Sequence, residues 1–110
     1  LDKYDEIDVV VSQNDDMTFG ALDAMNRRGI TTGVEGDVIV VSFDAVKAAL
    51  KLVEQGVINV DIECNPNQGE WVEKLIQALE RGEEVEKTFY IKEQIFTPEN
   101  VGEYLDDREY

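Results

Sequence analysis

The sequence contains no histidine, one cysteine, two prolines, and only 10 basic residues against 25 acidic ones. Each scarcity removes a class of chemistry. Without histidine there is no His-based catalytic triad and no His-ligated metal site. A lone cysteine, Cys64, permits neither an intrachain disulfide nor a cysteine-rich zinc site. A formal net charge of −15 repels phosphate backbones, which argues against nucleic acid as a partner. It repels anionic membrane surfaces for the same reason. The apolar runs are a few residues each, far short of the ~20 needed to span a bilayer. Walker and dinucleotide glycine fingerprints are absent, and Asn14-Asp15-Asp16 lacks the spacing and glycine of a calcium loop. No cofactor or metal is expected on these grounds, and no spacing of carboxylates marks an enzyme. The chain begins at Leu1 without a signal-peptide pattern, which reads as a processed protein or a piece of a longer one.

What is present is a periodic apolar pattern. With 43 % hydrophobic residues over 110 positions, the chain can build one core. Ile7 to Gln13 is β-branched and reads as a buried strand. Asn14-Asp15-Asp16 then offers a cap for a helix carrying Met17, Ala21, Leu22 and Met25, which stops at Gly29. Asp37 to Ser42 is a second strand, and Phe43-Asp44 ends it. A helix with Val46, Ala49, Leu50 and Val53 on one face follows, and it stops at Gly56. Val57 to Glu63 is a third strand that alternates, with Ile58, Val60 and Ile62 on one side and Asn59, Asp61 and Glu63 on the other. Val72, Leu75, Ile76 and Leu79 mark a third helix that stops at Gly82. Thr88 to Ile91 reads as a short fourth strand, and Thr97-Pro98-Glu99 opens a last short helix to about Tyr104. Alternating strands and helices imply an α/β fold, with a parallel sheet covered by helices.

In parallel α/β sheets, ligands bind beyond the carboxyl ends of the strands. Asn14, Asp44 and the turn at Cys64-Asn65 fall there. Asn offers a donor and an acceptor, and an ionised Asp offers two acceptor oxygens. A neutral polyhydroxylated ligand, whose hydroxyls both donate and accept, needs such groups. The plainer reading of Asn14 and Asp44 is a helix cap, that of Cys64 a small buried filler, and that of Trp71 packing rather than a sugar platform.

Specific residues sharpen this. Val9-Val10-Val11-Ser12-Gln13-Asn14-Asp15-Asp16-Met17, followed by Gly20-Ala21 and Gly29-Ile30, resembles the sugar-binding proteins of ABC transporters of the ribose/galactose type. Val40-Val41-Ser42-Phe43-Asp44 matches their next strand. Ile58 to Pro66 with Gly69, and Phe96 to Asn100 through Leu105 to Tyr110, are similar to the galactofuranose-binding branch. The resemblance runs from about Ile7 to Tyr110 and covers only the C-terminal part of such proteins.

The resemblance implies the C-terminal part of a type I periplasmic-binding-protein fold, a three-layer parallel sheet with flanking helices. It places residues 1–64 in the second sugar-binding lobe. Residues 65–90 would cross the hinge and set a helix in the first lobe, and residues 91–110 would form the last segment. Asn14 and Asp44 would hydrogen-bond sugar hydroxyls. Cys64 falls where such proteins carry an amide side chain, with Asn65 or Glu63 as substitutes for that contact. The implied partners are a monosaccharide and a membrane permease, with a second copy or a missing N-terminal segment covering the orphaned helix. The implied location is the periplasm or the cell exterior, free or as a membrane-anchored lipoprotein. The competing reading is the effector-binding domain of a sugar-responsive transcription repressor, which shares this fold. The long tail after Gly82, with Thr97-Pro98-Glu99-Asn100, favours the receptor.

Overall fold

The computed structural model describes residues 1–110. The apolar periodicity resolves into β1 (Val9–Val11), α1 (Asp15–Asn26), β2 (Ile39–Asp44), α2 (Lys47–Glu54), β3 (Val60–Glu63), α3 (Gly69–Glu80) and β4 (Ile95–Phe96). A 3-10 turn at Val101–Glu103 follows, shorter than the final helix expected to Tyr104. The sheet order is β1-β2-β3-β4, and β1, β2 and β3 are parallel. The fourth strand is not Thr88–Ile91. It is Ile95–Phe96, and it lies antiparallel to β3. The result is a mixed α/β architecture, an open four-stranded sheet with three helices.

Register decides which side chains face the helices. Val10 pairs with Val40, Ser42 with Asp61, and Asp61 with Phe96. Side chains alternate along a strand, so these residues share one face. That face is the core. Val38, Val40 and Phe96 lie on it against Met25 of α1, Ala49, Leu50 and Val53 of α2, and Val101. Removing a side chain such as Leu50 from water contributes about 1.5–3 kcal/mol, and Leu50 and Val53 are fully buried.

The other face is open. Val9, Val11, Ile39 and Ile95 are all exposed, Val11 to 64 %. Both helices that connect the parallel strands pack on the same side, so these 110 residues contain two of the three expected layers. The expectation that β1 is buried on both faces is therefore corrected. β3 alternates as expected, and its polar residues Asp61 and Glu63 are the ones turned inward, while Val60 and Ile62 face the open side.

The third helix has an apolar stripe and no buried residue. Val72, Ile76 and Leu79 are each about half exposed or more. Trp71 packs only loosely on Phe89, with ring centroids 6.4 Å apart, and the Lys74 ammonium sits over its ring. The Cα radius of gyration is 18.0 Å, with extents of 59 × 33 × 17 Å. A compact chain of this length has a radius of about 13 Å.

One loop depends on a missing side chain. The Val34 N–H donates to the Gly56 carbonyl at 2.8 Å, which brings Gly33 against that carbonyl at φ +92°. A Cβ on Gly33 would sit 1.8 Å from the Gly56 oxygen. Gly33→Ala is therefore expected to lower stability by about 1–3 kcal/mol through strain and overlap. Thermal unfolding checks this, and an unchanged melting temperature would show that the loop lifts off Gly56 without cost.

Candidate functional site

The carboxyl ends of β1, β2 and β3 form one edge of the sheet, and each carries one sequence-predicted position. Asn14 follows β1 and caps α1. Its extended backbone places Oδ1 to accept from the Met17 N–H at 2.9 Å, satisfying one of the helix's free amides. The cap takes the oxygen and leaves the Nδ2 amide as the group Asn14 offers outward.

Asp44 ends β2 with φ 107°, and the next residue, Ala45, has φ 62°. Two successive non-glycine residues in the left-handed region mark a strained turn, held only where the surroundings fix it. The five ion pairs of the chain leave the Asp44 carboxylate out. Its half-buried side chain is free at the edge.

The β3 end divides the remaining candidates. Cys64 is exposed, and its N–H reaches the Asp44 carbonyl at 3.4 Å. Asn65 turns its Oδ1 to the Asn67 N–H at 2.8 Å, while its own N–H donates to Glu93. Glu63 points the other way, into the core face. Its Oε1 accepts from Arg108 at 2.6 Å and from the Tyr110 hydroxyl at 2.5 Å, and its Oε2 accepts from the Gln94 N–H at 2.9 Å. Burial alone would raise its carboxyl, but the bonds from Tyr110 and Arg108 and the Arg108 charge together hold it below the usual glutamate range. Burial and the bond to Glu63 push the Tyr110 phenol up. The structure thus brings Asn14, Asp44 and the Cys64-Asn65 turn to one edge and sets Glu63 behind them.

Behind that edge lies a polar cluster that sequence reasoning missed. Asp15 and Asp61 are 1 % and 0 % exposed. Asp15 Oδ1 accepts from Ser42 Oγ at 2.5 Å, and Oδ2 accepts from the Val46 N–H at 2.8 Å. Thr18 Oγ1 lies 2.6 Å from Ser42 Oγ and 3.0 Å from the Asn14 carbonyl oxygen. Burial raises the Asp15 carboxyl despite the Ser42 and Val46 donors. Burial, then the Asp15 charge, push Asp61 up to about 8. Arg108 closes the cluster. Its Nε donates to the Ala45 carbonyl at 2.8 Å, and its guanidinium lies 3.9 Å from the Tyr110 ring and 5.2 Å from the Phe96 ring. The signal was present in part: Asp61 sits two residues before Glu63, in the parity that Ser42 and Val40 share. That parity is readable only once the register is known.

The largest groove, about 630 Å³, lies elsewhere, between Phe19, Leu22, Ile30, Leu52 and Val57 beside the ends of α1 and α2. The carboxyl edge itself is an open wall.

No family model matches the chain. It is 31 % identical over 109 residues to the fructose import binding protein of Bifidobacterium longum, covering 97 % of this chain and 32 % of that protein. It is 29 % identical over 101 residues to the galactofuranose-binding protein of Escherichia coli, covering 91 % of this chain and 31 % of that one. A Mycobacterium smegmatis protein solved in complex with β-D-fucofuranose superposes with a TM-score of 0.88 at 30 % identity, over 97 % of this chain and 34 % of that one. The chain spans about a third of the length of the relatives it matches. By sequence and by fold, the chain is homologous to the C-terminal part of periplasmic sugar-binding proteins.

Proposed function

We propose that this chain supplies one wall of the sugar site in the solute-binding component of a carbohydrate ABC transporter. The observation that carries the reading is the placement of Asn14 and Asp44 at the carboxyl ends of two adjacent parallel strands, with the Asp44 carboxylate unpaired. Asp44 accepts from sugar hydroxyls and the Asn14 amide donates to sugar oxygens. The exposed Cys64 and the Asn65 turn border the same edge, and Glu63 supports it from behind through Arg108. The relatives named above favour a monosaccharide, including furanose forms, over a catalytic role. On this reading residues 1–64 belong to one lobe, 65–90 cross a hinge, and 91–110 return. The unburied apolar stripe of α3 and the elongated shape support that division. A permease in the membrane receives the sugar, and the periplasm or cell exterior is the site of action.

A single wall leaves half of a ligand's surface in water, so tight binding needs the second lobe. The test is therefore calorimetric titration of the complete protein carrying this chain with fructose, arabinose and galactose. Asp44→Ala is expected to weaken binding by about 1.5–3 kcal/mol, roughly 10- to 150-fold, through loss of charge-assisted hydrogen bonds. The melting temperature should stay within a few degrees, because no contact of the fold uses that carboxylate. Unchanged affinity with a large loss of melting temperature would make Asp44 a structural residue and remove it from the site.

A further inference from the structure

The Asp15–Asp61 pair has no role in the proposed sugar site, yet it lies under the turn that carries Asp44, and Asp15 holds that turn through the Val46 N–H. Asp15 is fully supplied with donors, since Ser42 Oγ and the Val46 N–H each take one oxygen. Asp61 has none: neither of its buried oxygens makes a well-formed hydrogen bond. The groups nearest in effect are the Asp15 carboxyl, which opposes its ionisation, the Ala45 amide, which favours it, and the Asp44 carboxylate, which opposes it. Two carboxylates that face each other out of water repel unless a proton joins them. Asp15 already accepts at both oxygens, so the proton belongs on Asp61.

We propose that Asp61 is held in the folded chain as a neutral carboxylic acid that donates to Asp15, and that this acid pair is the clamp on the strained Asp44–Ala45 turn. Asp15 accepts from the Val46 N–H, two residues after Asp44, and the Ala45 amide lies toward Asp61 without a well-formed hydrogen bond to it. Arg108 holds the Ala45 carbonyl from the opposite side. The residue with φ 62° is thus held at its carbonyl by Arg108 and through the next amide by Asp15, and Asp44 is set by the backbone that follows it.

The surrounding charges keep the proton in place. Asp44, at the end of β2, is negative and adds to the repulsion. Glu63, on the same face of β3, is neutralised by Arg108. Lys47, at the start of α2, is engaged by the Arg108 carbonyl. Phe96, the register partner of Asp61 on β4, is apolar. The one guanidinium of the cluster pairs with Glu63 through Nη1, and its buried Nη2 makes no hydrogen bond to Asp61. Asp61 and Asp15 are then positioning residues, and their importance to a ligand rests on the proposed role of Asp44.

The test reads the proton directly and needs no sugar. Carbon-detected NMR of the chain follows the Asp61 carboxyl carbon and the Ala45 and Val46 amides from pH 5 to 10, with the carboxyl signal assigned through its correlations to the wild-type Asp61 backbone and Asp61→Asn as a check. The Asp61 signal is expected to move with a midpoint near 8. The Ala45 and Val46 amide signals are expected to move with the same midpoint, and in Asp61→Asn to lose that transition. An Asp61 carboxyl that ionises in the ordinary carboxylate range overturns the acid pair. A high midpoint that the two amides do not follow overturns the clamp. The wild-type titration alone decides both points if the variant fails to fold. Absence of sugar binding, with this titration intact, would sink only the ligand reading.

Discussion

Replacing Arg108 by alanine is expected to destabilise the fold by about 3–5 kcal/mol, a large fraction of the 5–15 kcal/mol typical of a small domain. The guanidinium and Glu63 are each only 9 % exposed, so removing the cation leaves a buried carboxylate facing only the Tyr110 hydroxyl and the Gln94 amide. The same change removes the donor to the Ala45 carbonyl and the stacking on Phe96 and Tyr110. Loss of packing by the Arg stem adds to loss of charge. Denaturant unfolding measures the effect. A second substitution separates its causes: Glu63→Gln in the Arg108→Ala background removes the stranded charge and should recover part of the loss, since the two residues are coupled. A single Arg108→Ala loss below about 1 kcal/mol would class the pair with surface ion pairs and leave the turn held by other contacts.

That residue also shows where sequence reading stops. The order of the first three strand-helix units was legible because apolar period and glycine stops are local signals. Asn14 as a cap and Asp44 at a strand end were legible for the same reason, since each sits at a change of period. The faces of the sheet were not. Val9-Val10-Val11 has the same composition whether one or two of its sides are covered, and the bare side appears only when both connecting helices are placed on one face. The inward turn of Asp61 and Glu63 was hidden because their alternation with Val60 and Ile62 looks like a half-exposed strand. Only the pairing with Ser42, and a cation contributed by Arg108 far along the chain, make the polar side the buried one. The last strand was misplaced because two residues, Ile95 and Phe96, carry too little pattern to compete with the equally apolar stretch at Tyr90-Ile91.

Asp61→Asn is expected to make the chain more stable at neutral pH, by an amount that grows with pH. The folded chain holds the Asp61 carboxyl at about 8, against an ordinary value of 3.8. Between these values the folded state keeps a proton that the unfolded chain releases. The stability tied to that proton is therefore full below the ordinary value, falls by about 1.4 kcal/mol per pH unit above it, and is exhausted near pH 8. Asparagine preserves the donor to Asp15 and titrates nowhere. The difference between variant and wild type should start near zero around pH 4, reach about 4 kcal/mol at pH 7, and level off above pH 8. Glu63 works in the opposite sense: its lowered carboxyl supports the fold above the ordinary glutamate value, and that support is lost as pH falls through its folded value. It is common to both proteins, so it cancels in the difference. Melting temperatures at unit pH steps give the curve, with a shift of roughly 4–8 °C per kcal/mol for a domain of this size. A constant offset across the whole range would mean that Asn merely packs better, and a variant less stable than wild type above pH 7 would mean that Asp61 is ionised in the fold and paired with a donor the clamp does not include.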